Sequence, residues 1–284
     1  VRRDVQDLMS RMLKVQAQAL ETLDLDRTPS LVQRVAQPIA FRNVRLFDAA
    51  QKRMRAKMTV LVRGSRIAAI GHDLVIPRGA HVIDGRGKTL MPGLWDMHAH
   101  ILSNREGLLY LAAGVTSVRD LGNTMDDTLV RQRRFADLRL AGPRMILAGV
   151  IDGPGPLAAP IRVYAATPDE LRTAIRNYAR SGYRHIKLYS SLDPALVPVA
   201  VDETRRLGMR LSGHVPARMT MREAVAAGFD EVHHLNFAAL NFMSSEINAK
   251  TNGITRITAI AEHAWEIDPA SDQVGTVLRF LRAR

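Results

Sequence analysis

The sequence predicts an α/β fold: a TIM-type (β/α)8 barrel that is incomplete, with about six βα units, preceded by a small β-sandwich module. From Leu94 onward, short apolar strands alternate with helical stretches every 20–35 residues or so, as in parallel α/β proteins. Before that point, between 39 and 90, short strands are separated by Gly and Asp turns. We therefore divide the chain into an N-terminal helical segment (1–37), a small β module (38–92) and a barrel (93–284).

The first two segments differ in hydrophobic period. Residues 2–25 place apolar side chains at helical spacing, which predicts an amphipathic helix that Thr28-Pro29-Ser30 ends. From Ile39 the apolar residues alternate, and Gly64-Ser65 forms a turn between two such runs. This pattern is typical of the strands of a small sheet.

The barrel segment repeats a strand-plus-helix unit. Strands are predicted near 94–98, 115–119, 145–150, 184–189, 210–214 and 230–234. Helices are predicted near 105–113, 126–140, 168–181, 194–207, 219–227 and 255–266. A complete eight-fold barrel takes about 250 residues, and the stretch from Leu94 to Arg284 is shorter than that. We therefore expect strands 1–6 only, in a fragment truncated at both ends; a natural short relative without activity is the alternative.

Composition excludes several classes of protein. The 284-residue chain has no cysteine, which rules out disulfide scaffolds, thiolate zinc sites and cysteine nucleophiles. Its net charge of +12 comes from arginines scattered singly or in small groups among helix formers. These indicate solvated helix faces, so we expect no nucleic-acid partner. No signal peptide or apolar run of about 18 residues is visible, so we expect no membrane association and a cytoplasmic location.

Two histidines end the first barrel strand. Asp96, His98 and His100 occupy alternate positions and therefore share one face of a strand. They lie near the carboxyl end of that strand, where barrel enzymes have their active sites. Two imidazoles at this spacing can bind one metal ion, whereas two satisfied structural histidines are the alternative.

Lys187 lies inside an apolar strand pattern, in a chain with only six lysines. Burial depresses the pKa of lysine, and the neutral amine can then capture carbon dioxide as a carbamate. A carbamate is an anionic ligand with two oxygens and can bridge two metal ions. An exposed lysine at a strand end is the alternative.

Two further strand ends carry histidines, at His214 and at His233-His234. The intervals from Lys187 to His214 and on to His234 are 27 and 20 residues, each the length of one βα step. On a regular strand His233 and His234 face opposite sides, so only one of them is expected to face the barrel axis.

These motifs resemble the metal-dependent amidohydrolase superfamily, in particular its imidazolonepropionase-like and dipeptidase-like branch. The resemblance covers about 38–270 and rests on PGLWDMHAH (92–100), GVTSVRDLGN (114–123), HIKLYSS (185–191), LSGHVP (211–216) and GFDEVHHLN (228–236). It implies a (β/α)8 barrel with a small β-sandwich, two divalent metal ions, usually zinc, and a small-molecule substrate. It is compatible with a homo-oligomer.

The resemblance also implies a role for each matching residue. His98 and His100 would bind the first ion, carboxylated Lys187 would bridge both ions, and His214 and His234 would bind the second. The family pattern selects His234 over His233. Carboxylation of the lysine would consume carbon dioxide or bicarbonate. Tyr189, next to Lys187, would contact the substrate or simply pack.

One feature departs from the family. Its catalytic Asp at the end of strand eight has no counterpart before Arg284, so the catalytic residue is unknown. The expected function is hydrolysis of C–N bonds other than peptide bonds, in amides or cyclic amides. The alternatives are a mononuclear deaminase-type enzyme of the same fold, and a catalytically inactive fragment that serves as a scaffold.

Overall fold

The computed structural model describes residues 36–159, 163–251 and 255–284, together with Val15. The helix predicted for 2–25 lies outside these ranges, apart from Val15. The described residues form two compact units. One contains the residues up to Trp95 with Ser103–Ser117 and Arg134–Pro143, and the other contains Asp96–Leu102, Val118–Arg133 and Arg144–Arg284.

The first unit contains a separate, mostly antiparallel sheet, as predicted. Its strands are β1 (Ile39–Asp48), β2 (Arg53–Arg63), β3 (Arg66–Gly71), β4 (His81–Asp84) and β5 (Thr89–Leu90). The order is β3-β2-β1-β4, and β5 pairs with another part of β1. The pairs β1–β2 and β2–β3 are antiparallel, whereas β4 and β5 run parallel to β1. Buried side chains on β1 and β2 form the core of this sheet: Ala40, Val44, Met58 and Val60.

The second sheet is the curled parallel sheet of an incomplete (β/α)8 barrel, which confirms the predicted fold class. Its six strands are β6 (Leu94–Ala99), β7 (Val115–Asp120), β8 (Arg144–Ile151), β9 (His185–Leu188), β10 (Arg210–Gly213) and β11 (Glu231–Val232). Their order is β11-β10-β9-β8-β7-β6, so consecutive strands are neighbours. The carboxyl ends of parallel strands meet at one edge, which is where the sequence places its histidines and Lys187.

Helices follow most of these strands. They are α1 (Asn104–Ala112), α2 (Met125–Ala136), α3 (Pro168–Arg180), α4 (Val197–Arg206), α5 (Met221–Ala227), α6 (Leu235–Leu240), α7 (Ser245–Lys250), α8 (Thr255–His263) and α9 (Asp272–Arg282). The helix predicted near 168–181 is present as α3, and Thr167 and Glu170 form a capping box at its start. Helices α6, α7 and α9 were not predicted. No helix in the described part of the chain has the length and apolar character that a bilayer-spanning segment needs.

Helix α3 shows how the strands of the second unit are covered. It buries Leu171, Ile175 and Tyr178 on one face, at helical spacing. The Tyr178 ring packs directly on Gly149 of β8, where any side chain would clash with it. The Tyr178 hydroxyl donates a hydrogen bond to the Val150 carbonyl at 3.0 Å, which satisfies a polar atom inside the core. The covered strand β8 pairs in parallel with β9, the strand that carries Lys187.

Candidate metal centre

Several histidine rings lie close together at the ends of the barrel strands, in the second unit. The His98 ring centroid lies 5.4 Å from that of His100 and 4.6 Å from that of His234. The centroids of His214 and His234 are 4.9 Å apart. Lys187 Nζ lies 5.2 Å from the ring of Tyr189, which is 3.9 Å from that of His214. Burial, and after it the charge of Lys187, lowers the pKa of His98, His214 and His234. All five predicted ligands therefore occupy one neighbourhood.

Lys187 is fully buried, so the alternative of an exposed lysine at a strand end is wrong. Its Nζ has no hydrogen-bond partner among the described residues. Burial lowers the pKa of Lys187 to about 8, while the Asp120 carboxylate opposes this shift. At pH 7 roughly one molecule in ten then carries the neutral amine, compared with about one in three thousand for an ordinary lysine. A neutral amine is nucleophilic.

His98 and His100 occupy alternate positions at the end of β6. Burial is the main reason that the pKa of His98 falls to about 4, and the nearby Lys187 charge adds to it. His100 Nδ1 lies 2.9 Å from the Gly122 carbonyl oxygen, to which it donates when its Nδ1 is protonated. That tautomer leaves Nε2 free to accept, the usual arrangement of a metal-binding histidine.

His214 directly follows Gly213, the last residue of β10. Gly213 has φ +152°, and a side chain at this position would clash with the Leu188 backbone. His214 Nδ1 lies 3.3 Å from Ser190 Oγ, whereas its buried Nε2 has no hydrogen-bond partner among the residues that the structure describes. Burial, followed by the charge of Lys187, lowers the pKa of His214 to about 2. This imidazole is therefore neutral at physiological pH.

Both His233 and His234 contact His98, so the prediction that only one of them faces the axis is wrong. The His233 and His234 centroids lie 5.0 and 4.6 Å from that of His98. The reason is that β11 ends at Val232, and His234 adopts a left-handed backbone with φ +65°. Such a conformation is unfavourable for a residue other than Gly and often marks a functional site.

Asp152 organises the loop after β8. Its buried carboxylate accepts hydrogen bonds from the backbone N–H groups of Gly153, Ala159 and Ser191 at 2.8 to 2.9 Å. Burial raises the pKa of Asp152, although these hydrogen bonds oppose the shift. This role was not predicted, because it depends on backbone groups, one of which is 39 residues away along the chain.

Tyr189 lies beside the histidines and beside a cavity. Its ring centroid is 3.9 Å from that of His214, and Lys187 Nζ is 5.2 Å from the ring. Tyr189 and His100 line the same cavity of about 330 Å³, whose other walls are apolar or uncharged. The walls include Leu102, Leu121, Val150, Asn123 and Thr124.

The donor atoms are of the kinds that bind a divalent ion, although they are not arranged around one common position. Among the described residues, no three His, Asp or Glu side chains stand in metal-binding geometry. The His234 ring instead lies between two other rings, tilted by 49° against that of His98 and by 73° against that of His214. Neutral imidazoles are good ligands for zinc. His214 Nε2, Lys187 Nζ and both ring nitrogens of His233 are buried without a hydrogen-bond partner in the described part of the chain, and a bound ion would satisfy such atoms.

Acidification is expected to destabilise the metal-free chain. Burial lowers the pKa of His185 to about 4 and that of His233 to about 3. The unfolded state therefore binds more protons than the folded state between these values and about pH 6.5, and stability falls as the pH drops through this window. We expect the free energy of unfolding in EDTA to fall by about 3 kcal/mol or more from pH 7 to pH 4.5. His185→Asn should reduce this loss, whereas His72→Asn, at an exposed position, should not; equal losses in both variants would contradict the assignment.

Comparisons with known proteins find relatives that match part of the chain. No family model matches the chain. A dihydroorotase of Mycobacterium tuberculosis is 40% identical over 63 residues, which cover 22% of this chain and 14% of that protein. Adenine deaminase 2 of Bradyrhizobium sp. (strain ORS 278) is 25% identical over 223 residues, which cover 70% of this chain and 36% of that protein. The matches therefore span about a third or less of these relatives.

A solved Xaa-Pro dipeptidase with methionine bound in its active site has the same fold. The TM-score is 0.60 at 20% identity, over 74% of this chain and 65% of that one. The resemblance to the amidohydrolase superfamily is confirmed. The amidohydrolase fold explains why the five predicted ligands come from four separate strand ends: its strands meet at the edge where such barrels have their active sites.

Proposed function

We propose that this amidohydrolase-like chain carries the binuclear metal centre of a hydrolase that cleaves C–N bonds in small amides or cyclic amides. One observation carries the proposal: Lys187 is fully buried, without a hydrogen-bond partner among the described residues, next to histidines from three other strand ends. A buried lysine is costly unless it is paired or chemically altered. Carboxylation turns this cation into an anion that the neighbouring metal ions would stabilise.

The proposed ligands divide into two sets around that lysine. His98 and His100 on β6 would hold the first ion, and His214 and His234 would hold the second, with carboxylated Lys187 between them. Bound divalent ions, of which zinc is the expected one, would supply Lewis acidity and lower the pKa of water. His100 and His214 each direct Nδ1 to a protein oxygen, which keeps Nε2 available.

Carboxylation itself follows from the chemistry of Lys187. The lone pair of the neutral amine attacks carbon dioxide, an N–C bond forms and a proton passes to solvent. The depressed pKa of Lys187 supports this step because it raises the fraction of neutral amine. The charge of the chain at this position changes from positive to negative, which favours metal binding.

The cavity beside His100 and Tyr189 is the proposed room for the substrate. His100 of the first proposed subsite lines it directly, and the ring of Tyr189 in its wall lies 3.9 Å from that of His214 in the second. Its uncharged walls favour a neutral group of the substrate. Tyr189 is therefore proposed to contact the substrate.

A mononuclear deaminase is the second candidate, and the similarity to an adenine deaminase over 70% of this chain favours it. A site with one ion has no need of a bridging carbamate, so the state of Lys187 separates the two candidates.

Metal counting combined with an activity assay tests the proposal. The chain is stripped with EDTA, reloaded with zinc with or without bicarbonate, and assayed on cyclic amides, Xaa-Pro dipeptides and adenine. We expect two zinc ions per chain and hydrolysis of an amide that depends on bicarbonate. One zinc ion, indifference to bicarbonate and release of ammonia from adenine would instead support the deaminase, and no bound zinc would contradict both.

A further inference from the structure

Arg119 and Glu231 form an ion pair between strands that are not neighbours. Arg119 lies on β7 and Glu231 on β11, and the sheet order places β8, β9 and β10 between them. Arg119 Nη1 donates to Glu231 Oε2 at 2.7 Å, and Nη2 donates to Oε1 at 2.5 Å. The pair therefore connects two strands that no sheet hydrogen bond joins directly.

The same arginine also reaches the strand of the first histidine pair. Arg119 Nε donates to the carbonyl oxygen of Met97 at 2.8 Å, and Met97 immediately precedes His98. At the other end, Glu231 Oε1 lies 3.5 Å from His233 Nε2. One continuous set of contacts thus runs from the residue before His98 to the residue before His234.

The geometry of this pair is restrictive. A guanidinium is planar, and a bidentate pair with a carboxylate fixes both distance and orientation. The Arg119 side chain is only 8% exposed, so it needs its partner in place. All three kinds of donor nitrogen on Arg119 are used, one on β6 and two on β11.

We propose that Arg119 and Glu231 are positioning residues, whose ion pair sets the separation between His98 on β6 and His234 after β11 and thereby the spacing of the two metal subsites. This inference rests on the proposed function, because it concerns residues that hold the proposed ligands. Neither residue is among those ligands. Arg119 acts through the backbone carbonyl of Met97, and Glu231 acts through the side chain of His233.

A second ion pair of the same kind provides a matched control. Glu203 on α4 is 5% exposed at its side chain and pairs with Arg176 on α3 and with Arg206. This pair joins two helices and touches none of the proposed ligands. Glu203→Gln should therefore lower stability without any effect on the histidines.

The first test compares zinc binding by Glu231→Gln, Arg119→Lys and Glu203→Gln, measured by competition with a chelator, with thermal melting of each variant. We expect Glu231→Gln and Arg119→Lys to weaken zinc binding about 10- to 100-fold, the usual effect of losing a group that orients a ligand. Glu203→Gln should lower the melting temperature and leave zinc affinity unchanged. If all three variants lower the melting temperature and none alters zinc affinity, the pair is merely structural and the inference is wrong.

The second test does not depend on metal. Hydrogen–deuterium exchange is measured without zinc over segments 96–102 and 231–236. Glu231→Gln should accelerate exchange at least about 10-fold in both segments, while Glu203→Gln leaves both unchanged. If the unaltered chain binds no zinc, the proposed function is wrong. Faster exchange in these two segments would even then support the inference that the Arg119–Glu231 ion pair holds them in position. Unchanged exchange in both segments would overturn it.

Discussion

Lys187→Ala is expected to reduce bound zinc from two ions to at most one per chain and to lower amide hydrolysis by about a thousandfold or more. Alanine removes the amine that would be carboxylated, and with it the ligand that the two subsites would share. Metal content by mass spectrometry and the rate of amide hydrolysis measure the two effects.

Two further variants control for simple loss of packing at position 187. Lys88→Ala, at an exposed position, should leave metal content and rate unchanged. Lys187→Glu supplies a permanent carboxylate on a shorter chain, so we expect it to retain more zinc than the alanine variant and to lose its response to bicarbonate. Two zinc ions bound to Lys187→Ala would refute the bridging role.

His234→Asn is expected to weaken zinc binding at the second subsite by about a thousandfold, whereas His233→Asn should weaken it about tenfold at most. Both rings lie against His98, but His234 is also 4.9 Å from His214, its proposed partner on the second ion. His233 lies instead near Glu231 and is proposed to help position the cluster. Zinc titration against a fluorescent chelator distinguishes the two variants.

The two variants are matched, because they change neighbouring residues in the same cluster to the same side chain. The larger loss in His233→Asn would show that His233 is the ligand and that the choice of His234, taken from a family pattern, is wrong. Equal and small losses would show that neither histidine after β11 is a metal ligand.

The barrel and its strand ends were readable from the sequence because their signals are local. The apolar runs before Lys187 and His214, and the helix start at Thr167-Pro168, are set by residues a few positions apart. The strands near Lys187 and His234 are shorter than predicted: β9 ends at Leu188 and β11 at Val232. After β11, His234 has a positive φ of +65°, which is incompatible with continued strand pairing.

The contacts between side chains inside the site could not be predicted from local sequence signals. The Arg119–Glu231 pair joins residues 112 positions apart, and only the curl of the sheet brings them together. Both His233 and His234 reach His98 because His234 itself has a positive φ. A glycine would have indicated such a conformation in the sequence, whereas a histidine does not. Long-range geometry of this kind depends on the packed structure.

The central claim is a pair of metal ions bridged by carboxylated Lys187. X-ray diffraction from crystals grown with zinc and bicarbonate, recorded at the zinc absorption edge, tests it most directly. We predict two anomalous peaks, one beside His98 and His100 and one beside His214 and His234, with density for a carboxyl group on Lys187 between them. A single peak next to an unmodified Lys187 would contradict the account.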